Sequence, residues 1–177
     1  MDSNNSTFVL QKAIVAKSLR KVLHSDLTDH DVEGISIILI CHLMIENRIN
    51  KLLYNWLTDS IPYMGSKGDK DAVIHNKKIR KQVEDNIVKL DFVKKVALIK
   101  PLATALWKKG GEEILKEIYE VNNLRNDIFH HLKIKEAKFK GKLLSSEKGL
   151  KFFVDVTHQR LLNIDDLIEL IAKKDKN

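Results

Sequence analysis

Apolar positions recur along most of the chain at the three- and four-residue spacing of α-helices. Four such segments span residues 8 to 23, 28 to 57, 72 to 90 and 92 to 99. Thr28 followed by Asp31 resembles a helix start, with a hydroxyl cap and an acid three residues on. No Gly or Pro interrupts the second segment after Gly34, so we expect one long helix from Thr28 to Leu57 to dominate the fold.

Turn-forming residues separate these helical patterns. Residues 58 to 71 contain Pro62, Gly65 and Gly68, which predicts a loop. Pro101 predicts that a helix ends or restarts there, because proline lacks the N–H that a helix interior requires. Gly110 and Gly111 predict a second break in the chain, before the next helix.

The next helical pattern runs from Glu112 to Leu132 and carries a continuous apolar stripe. Its members are Ile114, Ile118, Val121, Leu124, Ile128 and Leu132. At about 100° per residue, Arg125 flanks this stripe, whereas Asn126 and His130 point away from it, one turn apart. His131 lies closer to the stripe. The pattern therefore predicts an outward polar pair beside a permanent cation.

Beyond this helix, residues 138 to 144 and 150 to 157 are predicted to be two strands joined by a short polar turn. An amphipathic helix is predicted at 164 to 172. The expected fold is all-α, a helical bundle of about five helices with a short β-hairpin near the C-terminus. We expect a single domain over 1 to 177, to which residues 134 to 173 add an appendage.

The amino-acid composition excludes several classes of protein. The 44% hydrophobic and 31% charged fractions exclude a disordered chain, and no apolar run reaches membrane-spanning length. No secretory signal is recognisable, so a cytoplasmic location is expected. Cys41 is the only cysteine, which excludes an intrachain disulfide, and its apolar neighbours Ile40 and Leu43 predict a buried thiol. The net charge of +7 favours a polyanion such as RNA, although a solvated lysine-rich surface is the alternative interpretation.

One carboxylate falls within the apolar face of the long predicted helix. Glu46 lies amid the stripe formed by Ile35, Leu39, His42, Ile49 and Leu53. A buried carboxylate needs a partner, and Arg125 at the edge of the apolar stripe is one candidate. In the alternative interpretation, Glu46 lies at a crevice and pairs with one of the many lysines.

The segment Arg125-Asn126-Asp127-Ile128-Phe129-His130 resembles the motif of the HEPN family (higher eukaryotes and prokaryotes nucleotide-binding domains). Members carry an Arg and a following His separated by a short spacer, commonly with Asn straight after the Arg. The resemblance extends to Leu124, to the inward acid Glu46 and to residues 96 to 102, and covers roughly residues 35 to 132.

This resemblance implies a metal-independent endoribonuclease without a cofactor, working as a homodimer whose motif helices face one cleft. His130 would move a proton while an RNA 2′-hydroxyl attacks the adjacent phosphate. Arg125 would bind the phosphate oxygens, and Asn126 would orient the phosphate or His130. A toxin or defence effector with an antitoxin or another regulatory protein is a further implication. The alternative is an inactive HEPN dimer that binds RNA, a nucleotide or a protein.

Three further residues are expected to support this chemistry. Glu46 would hold Arg125 in place, His131 would substitute for His130 or cap the helix, and Asp127 lies within the motif. A helical scaffold unrelated to the family is a further alternative. A metal site would need ligands such as Cys41, His42, His130 and His131. It is disfavoured because adjacent helical residues point about 100° apart.

Overall fold

A computed structural model describes residues 14, 17, 28–59, 70–107, 110–131 and 134–174 of the chain. Within these residues there are five α-helices and one two-stranded antiparallel sheet. The helices are α1 (Asp29–Asp59), α2 (Lys70–Lys89), α3 (Phe92–Leu106), α4 (Gly111–His131) and α5 (Glu147–Lys174). The strands are β1 (Lys138–Phe139) and β2 (Lys142–Leu143). The predicted all-α class with a small hairpin near the C-terminus is confirmed.

Some predicted segments fall partly or wholly outside the described residues. The predicted helix over 8 to 23, apart from residues 14 and 17, and the centre of the predicted loop over 58 to 71 lie there. Both ends of that loop prediction are wrong, because Thr58 belongs to α1 and Asp71 to α2. No helix among the described residues is long and apolar enough to cross a membrane.

The chain divides into two compact units. The first comprises Lys116–Arg160 and the described residues up to Ile45, and the second comprises Glu46–Leu115 and the described residues from Leu161 onward. Helices α1, α4 and α5 each contribute residues to both units. The expectation of a single domain over 1 to 177 stays a prediction.

Each unit has buried apolar residues at helical spacing. The first includes Ile35, Ile38, Ile118, Val121, Phe139 and Phe153. The second includes Ile49, Leu52, Leu53, Val96, Ile99 and Ile164. On α4 the predicted stripe is buried from Ile118 to Ile128, while Ile114 is half-buried and Leu132 lies outside the described residues. Periodicity thus predicted the buried face of this helix correctly.

The start of α1 is the predicted capping box. The Asp31 N–H donates to Thr28 Oγ1 at 3.2 Å, and the Thr28 N–H and hydroxyl donate to Asp31 Oδ2 at 3.0 and 2.7 Å. Burial raises the pKa of Asp31, but these hydrogen bonds outweigh it and hold the pKa below its usual value. The reciprocal bonds satisfy N–H groups that a helix start leaves without intrahelical partners.

Pro101 lies inside α3 and does not end or restart a helix, so that prediction is wrong. Ile99 and Ala103, on either side of it, are both fully buried. Tertiary packing of an apolar face supplies most of a helix's stability in proteins, and here it spans the proline. Pro101 itself is exposed, where water can replace the hydrogen bond that proline cannot donate.

Both strands of the observed hairpin lie within the first predicted strand, residues 138 to 144. Lys138 pairs with Leu143, and Phe139 pairs with Lys142, so the segment folds back on itself. The two turn residues, Lys140 and Gly141, have φ values of 48° and 78°. Two consecutive positive φ values match the tight turns that suit the right-handed twist of paired strands.

The second predicted strand, residues 150 to 157, is wrong because this segment is part of α5. Its Phe and Val residues favour strands, which explains the error. Leu150, Phe153 and Thr157 are nevertheless buried at spacings of three and four, which is the helical pattern. The predicted helix over 164 to 172 is the later part of the same element.

A serine cap that we did not recognise begins α5. The Gly149 N–H donates to Ser146 Oγ at 3.1 Å, and the Leu150 N–H donates to the Ser146 carbonyl at 2.9 Å. Gly149 packs so closely on the hairpin that an added Cβ would overlap the Leu143 carbonyl oxygen. The glycine therefore allows the helix start to lie directly against β2.

A buried carboxylate joins three elements of the first unit. Glu117 on α4 is 2% exposed, and both Lys140 of the hairpin turn and Arg160 of α5 form ion pairs with it. Burial raises the pKa of Glu117, but the hydrogen bonds from Lys140 and Arg160 lower it more, so the pKa lies below its usual value. Glu117 is therefore charged at neutral pH.

We expect Gly149→Ala to lower the free energy of unfolding by about 2 kcal/mol or more, because the methyl group meets a backbone oxygen that cannot move alone. Gly34→Ala is the matched control, since its Cβ would meet only the flexible end of the Ile134 side chain. Its cost should be at most about 1 kcal/mol, because alanine favours helix. Urea unfolding measures both, and equal losses would contradict the close packing at Gly149.

We expect Glu117→Gln to destabilise the protein by about 3 kcal/mol at pH 7, because two cations lose their buried partner. A carboxylate with a lowered pKa stabilises the fold above its usual value of 4.5, and this contribution is lost as pH falls through the lowered pKa. Unfolding free energies measured from pH 7 to 3 should therefore converge for the two proteins at low pH. Asp155→Asn, at an exposed position of α5, is the control. A loss that stays constant with pH would argue against the charge effect.

Candidate functional site

The motif residues lie on the last turns of α4, which runs to His131. Arg125 and Asn126 are half-buried, whereas Asp127 and His130 are exposed. His130 therefore faces solvent, as its angular position on the helix predicts, and Asn126 is one turn before it. The His131 side chain lies outside the described residues.

Arg125 and Asn126 are joined by a hydrogen bond. A guanidinium N–H of Arg125 donates to Asn126 Oδ1 at 2.8 Å. The amide oxygen of Asn126 is the acceptor in this bond, so the bond occupies neither of the two N–H donors of the amide. The hydrogen bond holds the planar guanidinium, whose geometry matches that of phosphate, beside Asn126 on the helix that carries His130.

A buried polar pair lies one turn before Asn126. Asn122 Oδ1 is 3.1 Å from His42 Nε2, and both side chains are 5% exposed. The contact joins α4 to α1 within the first unit and favours the tautomer of His42 that carries hydrogen on Nε2. Sequence reasoning placed His42 on the inward face but missed Asn122. Its position four residues before Asn126 was the available signal.

Cys41 and His42 do not form a metal centre with other described residues. No group of three or more His, Cys, Asp or Glu side chains suited to a metal occurs among the residues described by the structure. Burial raises the pKa of the Cys41 thiol to about 12, so the thiol is neutral at physiological pH.

Glu46 has a lysine partner. Lys95 Nζ donates to Glu46 Oε1 at 2.6 Å, and the two side chains are 2% and 25% exposed. This ion pair agrees with the alternative in which Glu46 meets a lysine at a crevice. The predicted contact between Glu46 and Arg125 joins residues of different units and stays a prediction.

Lys95 is the residue of this pair that sequence reasoning missed. It is one of the lysines that contribute to the net charge of +7, yet it is 1% exposed. The signal was its position, because Phe92, Lys95, Val96 and Ile99 follow the helical spacing of a buried stripe. A lysine in such a stripe requires a carboxylate, since an unpaired buried charge is costly.

We expect Glu46→Gln to cost about 3 kcal/mol of unfolding free energy, because Lys95 stays buried without its carboxylate. Lys95→Met should cost only about 1 kcal/mol, since Glu46 keeps access to water. The double variant should resemble Lys95→Met, with a coupling energy of about 3 kcal/mol in a double-mutant cycle. Additive losses would argue against a direct ion pair.

Comparison with known proteins adds no relative to this description. The chain matches no protein-family model, no curated protein and no solved structure. The HEPN resemblance therefore depends on Arg125, Asn126 and His130 and on the helix that carries them, and it supports a proposal about function.

Proposed function

We propose that this protein is a metal-independent endoribonuclease of the HEPN type that cleaves RNA in the cytoplasm. One observation carries the proposal. A guanidinium held by Asn126 and an exposed imidazole lie within the last turns of one helix. The first group suits a phosphate, and the second suits proton transfer.

In the proposed reaction the RNA 2′-hydroxyl attacks the adjacent phosphorus atom and the bond to the 5′-oxygen breaks. The products are a 2′,3′-cyclic phosphate and a 5′-hydroxyl. His130 either takes the proton from the 2′-hydroxyl or gives a proton to the leaving 5′-oxygen. Imidazole suits either role because it exchanges protons near neutral pH.

Arg125 acts on the phosphate in this scheme. Its guanidinium binds the non-bridging oxygens and stabilises the negative charge that builds up during the attack. The hydrogen bond to Asn126 restricts the rotation of the guanidinium, so less conformational entropy is lost when phosphate binds. Asn126 is thus a positioning residue for Arg125, and its NH₂ group is a second donor toward the phosphate.

The proposal includes a homodimer and a regulatory partner. Cleavage of this kind uses both an acid and a base, and a second copy of α4 at the same cleft would supply a second His130. A cell that contains such a nuclease also needs a means of restraining it. An antitoxin-like protein of a toxin–antitoxin or defence pair would meet that need.

The test is cleavage of a mixed RNA pool in EDTA, with end-group analysis of the products. We expect the wild type to leave 2′,3′-cyclic phosphates, and His130→Ala and Arg125→Ala to be folded but slower by about 100-fold or more. His158→Ala is the matched control, because His158 is an exposed histidine on a different helix, α5. It should cleave like the wild type.

Other outcomes would contradict this assignment. Loss of cleavage in His131→Ala but not in His130→Ala would move the proton transfer to His131. If wild type and variants are all inert on several RNAs while folded and dimeric, the chain is not a nuclease. RNA binding retained in that case would identify the inactive binding module.

A further inference from the structure

The second unit contains a groove, and none of the described residues that line it belongs to the motif. It has a volume of about 490 Å³ and lies along one face of α2, with Tyr54 of α1 at its side. The groove residues that matter here are Tyr54, Asn76, Lys77, Arg80, Lys81 and Glu84. We call this feature the α2 groove. Its volume is within the range typical of ligand sites in proteins.

The α2 groove is positively charged. Its described lining includes three cations, Lys77, Arg80 and Lys81, and one carboxylate, that of Glu84, and all three cations are exposed. Among the residues that the structure describes, none forms an ion pair with these three side chains. Lys77 precedes Lys81 by four residues, about 6 Å along the helix axis, so the groove can meet more than one phosphate of a chain.

An aromatic ring completes the α2 groove. Tyr54 is half-buried and lines the groove. Nucleic-acid bases stack on such rings, whereas an acidic protein would need only the cations. Paired bases inside a duplex cannot reach a side chain in this way, so the ring favours a single strand.

We propose that the α2 groove binds single-stranded RNA, with Lys77, Arg80 and Lys81 on its phosphates and Tyr54 stacked against a base. The choice of RNA over DNA rests on the proposed ribonuclease function. The groove itself is argued from its own charge and shape. It would give the enzyme a binding surface beyond the residues that act on the scissile phosphate.

The test measures binding of a labelled twelve-nucleotide RNA to His130→Ala, which keeps the RNA intact. The triple change Lys77→Gln, Arg80→Gln and Lys81→Gln removes the groove cations. The matched control is Lys78→Gln, Lys89→Gln and Lys100→Gln, which changes the net charge equally at exposed positions outside the groove. Circular dichroism checks that both triple variants are folded.

We expect the groove variant to bind about 10- to 100-fold more weakly at 0.1 M salt. Its plot of log affinity against log salt should lose about 2 from its slope, since each phosphate contact on a single strand contributes about 0.7. The control should bind within about threefold of its parent. Equal weakening in both variants, or in neither, would overturn the inference.

Tyr54 is tested separately. Tyr54→Leu should weaken RNA binding by about 5- to 100-fold with an unchanged salt slope, whereas Tyr54→Phe should bind like its parent because the ring remains. A poly-glutamate peptide that competes as well as RNA of equal charge would identify an acidic protein as the ligand and overturn the inference. Adenosine monophosphate that binds as tightly as the oligonucleotide would overturn it too.

The same variants, made with His130 intact, separate this inference from the proposed function. Wild-type cleavage that is unaffected by the groove changes, together with unchanged binding, overturns the groove assignment alone. If the wild type cleaves no RNA but binding depends on the groove cations, the ribonuclease proposal fails and the groove assignment stands.

Discussion

Burial of ionised side chains is the constraint on which each compact unit depends. Taking a charge out of water costs several kcal/mol, which only a close partner of opposite charge offsets. In the first unit Glu117 on α4 forms ion pairs with Lys140 and Arg160. These ion pairs require the hairpin turn and α5 to pack beside α4. In the second unit Lys95 on α3 depends in the same way on Glu46 of α1. These ion pairs specify which surfaces of neighbouring elements pack together, whereas apolar contacts alone tolerate many packing arrangements.

The candidate site uses the rigidity that this packing provides. Helix α4 is fixed on its inner side by buried apolar residues and by the bond between Asn122 and His42. Its outer side then presents Arg125, Asn126 and His130 from a regular backbone. A site on a supported helix holds its groups more closely in place than one on a loop. The arrangement is therefore suited to chemistry that depends on orientation.

The described cationic residues named in these contacts are of two kinds. Lys95, Lys140 and Arg160 neutralise carboxylates within the protein. Lys77 and Arg80 instead face an open groove. The net charge of +7 counts both kinds together. Only the residues that line the open groove indicate an anionic partner. Composition therefore predicts the class of partner but not the surface that meets it.

The sequence by itself determined the features that depend on neighbours along the chain. Spacing of apolar residues predicted α1, the buried stripe of α4 and the exposure of His130, and Thr28 with Asp31 predicted where α1 begins. Only the tertiary structure decided that residues 150 to 157 are helical and that Lys95 and Glu117 are buried. The physical reason is that helical periodicity is a local property, whereas desolvation and ion pairing depend on residues far apart in the chain. Glu46 and Lys95, 49 positions apart, show this difference. The local spacing pattern around each residue does not predict which residue is its ion-pair partner.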